Sequence, residues 1–533
     1  MGLSDVRIIA RTKVSDDRPL FAIKRGMEGG LNTRSEPGAL EENQGATLDN
    51  VDLGVPGQVT KALGSVLIAN DKGADSIVAL HNYIRQGYAD NLVMVEDTHL
   101  WANEAEGSTW AAVKADFTAD EDVGIVSVKE SGLVPDDVLM VSVSGNNWFR
   151  IHKASGGSWA ESDLGSTSGT GEDSPPASTV GCWYGNRFWI LVNDQLYFSA
   201  AYSADYSGAF DTPTDVYRVP VGTERGIVST RDTGLIIMGN EAIWGLAPSA
   251  TPVATDKPQP LVTNHGVVSK KGFVNAGDDI YYFAQDGFRA LKRTLQDKLQ
   301  AGVSYPLSYA LKTEFENISW AYISRLCMKY FDNKIFIGVP TGAATFDTWI
   351  YFPAFGTFTV KKGWSPRCWA TYKVGGEERC YYGKHGDGVV YRAWHGYTDE
   401  GTTTINGTIM TEVVEYKAED FGQPLVYKNG GEVEIEASAV GGSDTILVEA
   451  RLDGGSYSTL GTVTLTSATA PVLPVALPFT LAEFYKVRDK FHLDGLGKFR
   501  EIQIRLTHAL VNTEVVKIYG INITTYPEEY ENE

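Results

Sequence analysis

The residues able to do chemistry are scattered along the chain. Four cysteines, Cys182, Cys327, Cys368 and Cys380, form no CxxC pair, and four in 533 residues make no disulfide framework. Cys380 could join His385 and His395 as metal ligands. The stretch CYYGKHGDGVVYRAWH lacks a paired second Cys, however, and reads as two strands around a turn. No P-loop, GxGxxG, HExxH or EF-hand pattern occurs. The nearest approach to GxSxG, Gly165-Ser166-Thr167-Ser168-Gly169, has Thr at the nucleophile position. The acidic cluster Asp116, Asp120, Glu121 and Asp122 lacks calcium-loop spacing and reads as a solvated turn. Glycoside cleavage needs two carboxylates at a set separation, and 67 acids spread along the chain single out no pair. These patterns lead us to expect no catalytic residue, no metal and no cofactor.

The elements that would carry any site are strands. Short apolar runs recur, each followed by a turn and a strand opening on an aromatic: LVMVEDTHLW, LMVSVSGNNWF, WILVNDQLYF, LIIMGNEAIW and IYYFAQDGFRAL. Their central residues are turn formers between strands of about five residues. A recurrence of about 40 to 50 residues is that of propeller blades built from four-stranded sheets. The expectation is a mainly β chain. It has a β-propeller of six or seven blades over 65–400, then a C-terminal antiparallel β-sandwich over 401–533, where strands alternate without the aromatic hairpin pattern. In GGEVEIEASAV, Glu432, Glu434 and Glu436 share one strand face, opposite Val433, Ile435 and Ala437. A Gly/Ser/Pro-rich loop is expected at 162–178. A helical insertion is expected at 306–319, where Leu307, Ala310, Leu311 and Phe315 keep helical spacing.

Residues 1–64 form a third, turn-rich region. Its first 25 residues carry Arg7, Arg11, Lys13, Arg18, Lys24 and Arg25, a basic arm on a chain of net charge −21. That arm suits docking onto an acidic neighbour or partner. The net acidity argues against gripping a nucleic-acid backbone, which needs clustered Lys and Arg. The N-terminus shows no signal-peptide pattern and no apolar run is long enough to span a bilayer, so a cytosolic site of synthesis and no membrane insertion are expected. Residues 103–110, NEAEGSTW, match only the Gly107, Thr109 and Trp110 end of a sialidase Asp-box, with Asn103 and Ala105 in place of its Ser and Asp.

The order of several loose motifs resembles phage tail proteins of the nozzle, or packaged-DNA stabilization, type. Gly29-Gly30-Leu31-Asn32 is followed by Pro37, Leu40, Asn43-Gln44, Leu48 and Asn50-Val51. Later come DGFRAL, VSYPLSYALKTEF, WIYFPAFGTFTVKKGW and GDGVVYRAWHGYTDEG. The resemblance implies a structural, non-enzymatic virion protein in the tail of a short-tailed phage, assembled in the bacterial host cytoplasm. A hexameric ring would extend the DNA channel below the portal and adaptor, retain the genome and anchor fibres or spikes. Its partners would then be its own copies, portal and adaptor proteins, fibre or spike proteins, and double-stranded DNA passing through without specific binding. On this reading Arg7, Arg11, Lys13 and Arg18 would dock the portal or a neighbouring subunit. Glu432, Glu434 and Glu436 would line an acidic channel that repels phosphate.

The alternative reading is a carbohydrate- or receptor-binding propeller in a tail or surface assembly. There, aromatics such as Trp101, Trp110 and Trp159 would stack on sugar rings, unless they serve packing between blades.

Overall fold

The recurring hairpins are the middle strands of propeller blades. The computed structural model describes residues 21–528 apart from 70–71, 73–74, 97, 116, 118–121, 144–146, 166–172, 204–205, 231–233, 250, 253–255, 300–303, 397, 400–410, 441–443, 466–485 and 510–514. Blade 1 comprises Ile77–Tyr83, Asn91–Glu96, His99–Asn103 and Ala111–Lys114, paired antiparallel in chain order. Blades 2, 3 and 4 repeat this four-stranded plan from inner strands Val123–Lys129, Gly181–Tyr184 and Glu224–Thr230. Blade 5 has three strands among the described residues, Phe273–Asn275, Ile280–Ala284 and Gly287–Ala290. Blade 6 runs from Cys327–Phe331 to Thr357–Lys361, and blade 7 begins at Pro366–Val374.

Seven blades therefore stand where six or seven were expected, and the ring is closed by the chain's own N-terminal part. Ser65–Leu67 pairs with Val390–Ala393 as the fourth strand of blade 7. Blade 7 then packs on blade 1, where the Cys368 thiol donates to the Ile77 carbonyl at 3.3 Å. One blade built from both ends of the ring ties its first and last turns together.

Between blades 5 and 6 the expected helix at 306–319 is replaced by shorter pieces. These are a 3₁₀ turn Leu307–Ala310, a helix Lys312–Glu316 and a further 3₁₀ segment Trp320–Arg325. Pro306 opens the first turn, and Leu311, whose φ/ψ are not helical, divides the run while its side chain is fully buried. A helix not foreseen, Leu291–Leu299, precedes them and packs on blades 4 and 5 through Leu291 and Leu295.

The boundary expected at residue 64 does not hold as a domain boundary. Phe21–Arg25 and Val59–Lys61 pair with Val515–Pro527 in one sandwich sheet, which also holds Lys428–Val440 and Val487–His492. Gln44–Asp49 pairs with Thr411–Tyr416 in the other sheet, and Asp49 bridges to Val360 of blade 6. The N-terminal region is thus part of the sandwich. One buried apolar cluster runs from Phe283 and Phe336 of the propeller to Val433, Ile504 and Ile521 of the sandwich. A shared core of this kind couples the two units mechanically.

The residues quoted for the tail-protein resemblance lie at this junction and have packing work to do. A Cβ at Gly29 would lie 2.4 Å from Asn43 Oδ1. Gly30 has φ +71° and lies against Thr357, a backbone conformation and an approach that suit glycine. Leu31 is buried. Asn32 Nδ2 donates to Gln44 Oε1 at 2.8 Å, and the Pro37 carbonyl accepts from Ala418 N at 3.0 Å. Asn50, at φ 58°, donates to the Thr411 carbonyl and accepts from Lys362 N, joining sandwich to blade 6.

Candidate functional site

A pocket of 330 Å³ opens between blades 4, 5 and 6, lined by Arg225, Asn240, Val267, Val268, Gln285, Trp320 and Ile323. Its volume lies at the low end of ligand sites. Each lining group is placed by a specific local device. Arg225 sits on a β-bulge between Glu224 and Gly226, a distortion that re-aims a side chain out of the ladder. Its Nε is buried and has no hydrogen-bond partner among the described residues. Asn240 lies in the turn after Gly234–Gly239, and its Oδ1 accepts from Thr223 N at 2.7 Å. The bond fixes the amide and leaves Nδ2 as a donor. Gln285 is exposed in the two-residue turn between Ile280–Ala284 and Gly287–Ala290.

Trp320 opens the 3₁₀ segment, is 41 % exposed and meets the Phe315 ring edge-on at 5.7 Å. The preceding residue is pinned by Ser319 N donating to the Pro340 carbonyl at 2.9 Å. An indole braced on one side and open on the other is a stacking platform. The wall behind Asn240 is tight: a Cβ on Gly266 would lie 2.1 Å from the Asn240 carbonyl carbon. Gly266→Ala is therefore expected to push the Asn240 turn outward, costing about 1–3 kcal/mol in chemical denaturation.

Beside the pocket, a polar cluster spans one mouth of the propeller's central channel. Lys270 Nζ, from the segment entering blade 5, donates to Asp122 Oδ2 at 2.5 Å and to Thr179 Oγ1 at 2.7 Å. Glu224 Oε1 lies 4.0 Å from the same ammonium, and its Oε2 is buried without a hydrogen-bond partner among the described residues. Asp122, read from the sequence as a solvated turn residue, is thus an anchor of this clasp; Asp116, Asp120 and Glu121 lie outside the described residues.

The other residues singled out from the sequence go elsewhere. Arg7, Arg11, Lys13 and Arg18 lie outside the described residues. Val433, Ile435 and Ala437 are fully buried, and Glu432, Glu434 and Glu436 occupy the other face. That face is not bare: Lys490 pairs with Glu432 at 2.5 Å and Glu434 at 3.5 Å, and Lys486 pairs with Glu436 at 3.0 Å. Arg488 adds a fourth contact to Glu436 at 3.6 Å. Cross-strand cations cancel much of the negative field that a phosphate-repelling wall needs.

Trp110 is buried. Trp101 stacks on His99 and donates to Glu96, and Trp159 packs on Tyr83, so the three tryptophans serve blade packing. In NEAEGSTW, Asn103 Nδ2 ties the turn by donating to the Gly107 and Thr109 carbonyls. Cys380 is fully buried, while His385 bonds Ser76 at 3.0 Å.

No family model and no curated protein matches the chain. Solved structures similar to it include an exo-β-1,3-galactanase from Phanerochaete chrysosporium, at 10 % identity and TM-score 0.26 over 87 % of this chain and 100 % of that one. A second is a glycoside hydrolase family 43 arabinoxylan arabinofuranohydrolase from Bacillus subtilis, at 10 % identity and TM-score 0.22 over 86 % and 99 %. A third is a puromycin hydrolase, at 11 % identity and TM-score 0.35 over 66 % of this chain and 61 % of that one. At these values the likeness concerns the β fold and assigns no residue. The expectations of a phage tail ring and of a non-enzymatic chain are corrected by these findings. The similar structures named are glycoside hydrolases and a puromycin hydrolase, none of them a tail component, and the acidic row meant to line the channel is paired with its own neighbours.

Proposed function

We propose that this protein is a carbohydrate-binding propeller that holds a sugar unit in the pocket between blades 4, 5 and 6. The observation that carries this reading is the pairing of the open Trp320 face with three planar polar groups around one pocket. A pyranose presents an apolar face of C–H groups and an edge of hydroxyls. The indole takes the first by apolar contact. The Asn240 and Gln285 amides and the Arg225 guanidinium offer paired donors and acceptors for the second. The buried, unpartnered Arg225 Nε gains an acceptor when a hydroxyl arrives, which removes an unmet polar group.

The test is calorimetric titration of the full chain with a panel of neutral oligosaccharides. Trp320→Ala is expected to weaken the best binder at least ten-fold, about 1.4 kcal/mol, while leaving the circular dichroism and melting of the fold unchanged. Unaltered affinity in that variant, or no binding across the panel, would overturn the reading.

The same pocket supports a second reading, glycoside cleavage, because carboxylates flank two of its lining residues. Glu224 precedes Arg225, and Asp286 follows Gln285 in the same turn. Cleavage needs two such groups acting together. On that reading turnover of an aryl glycoside disappears in both Glu224→Gln and Asp286→Asn, with binding retained.

A further inference from the structure

The centre of the propeller holds a second, larger cavity, distinct from the sugar pocket. It measures 580 Å³ and is walled by residues of all seven innermost strands or their entries. Much of the wall is apolar, with Leu80, Ile125, Phe273 and Trp369 among its residues. One mouth is crossed by the Lys270–Asp122–Thr179 clasp. The other end opens at Ser229 and Asn275, exposed residues at the far ends of the inner strands of blades 4 and 5. The cavity therefore runs along the propeller axis between these two ends.

Its charge is one-sided. Lys271 and Lys329 line it, and among the described residues no Asp or Glu does. Lys271 reaches across the channel to donate to the Val78 carbonyl of blade 1, a neutral partner that leaves its charge uncompensated. The Lys329 side chain is bonded to no acid among the described residues; Glu378, which does not line the cavity, acts on it only from a distance. Buried Arg367 adds a positive charge close to Lys271. The remaining titratable side chain of charge-bearing type, His81, bonds Ser127 at 2.7 Å, and burial pushes it down to about 4, so it is neutral at pH 7. The nearest acid acting on Lys271, Asp122, is already held by Lys270. Burial depresses both Lys271 and Lys329. Two half-buried ammonium groups facing a largely apolar wall, neither bonded to an acid, favour the entry of something negative.

We propose that the central cavity binds a small organic anion, with a carboxylate or phosphate group held between Lys271 and Lys329 and its apolar body against the cavity wall. The volume accommodates a ligand of this size. The aromatic and aliphatic wall favours a ring or short chain over a bare inorganic ion. The site is independent of the sugar pocket, so either reading can fail without the other.

The experiment is calorimetric titration of the full chain at pH 7 with benzoate, phenyl phosphate and the neutral control benzyl alcohol. At least one anion is expected to bind, with affinity falling as salt rises, and the alcohol is expected to bind at least ten-fold more weakly. The stronger of the two anions identifies the headgroup. Lys329→Met and Lys271→Met are each expected to reduce anion affinity at least ten-fold, while Trp320→Ala leaves it unchanged. Lys329→Met should melt at or above the wild-type temperature without ligand, since it replaces a half-buried charge bonded to no acid by an apolar side chain of similar length. Should Lys271→Met fail to fold, the Lys329→Met result and the anion-to-alcohol ratio decide alone. Binding of neither anion, equal binding of the alcohol, or full affinity in Lys329→Met overturns the proposal.

Discussion

Asp399→Ala is expected to remove about 3–5 kcal/mol of folding stability, because it strands a buried ammonium at the joint between propeller and sandwich. Lys361 is fully buried on the outer strand of blade 6, and Asp399, 4 % exposed, follows blade 7. Their side chains form an ion pair, and Trp364 Nε1 donates to the second carboxylate oxygen at 2.6 Å. Without the carboxylate, the Lys361 ammonium keeps the Lys362 carbonyl at 3.1 Å but loses its counter-charge, and the indole N–H loses its acceptor. Removing both ends at once is a different matter. Lys361→Met with Asp399→Leu trades a desolvated pair for apolar contacts and is expected to restore most of the loss. Asp399→Asn, which keeps an acceptor for Trp364, should fall between. Urea denaturation followed by tryptophan fluorescence checks all three. A loss below about 1 kcal/mol in Asp399→Ala would show that the pair does not hold the joint.

How legible this molecule was in its sequence depended on whether a feature is local. The hairpins LVMVEDTHLW and WILVNDQLYF carry their turn residues and their alternation within ten residues, and each proved to be the middle pair of a blade. Counting them gave the blade number to within one. Ring closure was not legible, because Ser65–Leu67 is three residues long and its partner lies more than 300 positions away. The role of residues 21–61 was hidden for the same reason. Gln44–Asp49 has no strong alternation of its own, and its pairing with Thr411–Tyr416 is decided by burial of Leu48 and Val414 in the common core. Helix Leu291–Leu299 went unseen since it continues directly from the strand pattern of DGFRAL.

The acidic row illustrates the limit of a one-strand reading. Alternation assigned the faces of GGEVEIEASAV correctly, but the charge on a face depends on what the neighbouring strand contributes. Register places Lys490 opposite Glu434 and Arg488 opposite Glu436. Nothing in the strand itself announces those partners. The pocket between blades 4, 5 and 6 was hidden more thoroughly: its walls come from five separate segments between Arg225 and Ile323, and Trp320 lies in a helical insertion rather than in an aromatic hairpin. The signal available was the break in the strand rhythm near 306–319, since irregular insertions on a regular scaffold often carry function.

Stability above neutral pH should be governed by His508, at the far end of the same core. The ring is 1 % exposed, with Nε2 bonded to Asp444 Oδ2 at 2.6 Å and Nδ1 3.3 Å from Glu412 Oε2. The two carboxylates raise its pKa against the opposing effect of burial, so the imidazolium is favoured in the folded state. A group whose folded pKa lies above its unfolded value stabilises fully below the unfolded value, about 6.5, and loses that contribution as pH rises through the folded one. Unfolding free energy is therefore expected to decline as pH rises from about 6.5. Lys61, buried nearby and pushed down to about 8, opposes the decline above that pH because its uncharged form is the one the fold prefers. His508→Ala leaves Glu412 and Asp444 without their shared cation and is expected to cost about 3–5 kcal/mol at pH 7. Its deficit should shrink below pH 5, because burial raises Glu412 and the carboxyl can then take up a proton itself. Urea denaturation from pH 4.5 to 8.5 on both proteins checks this, and a deficit independent of pH would assign His508 a packing role alone.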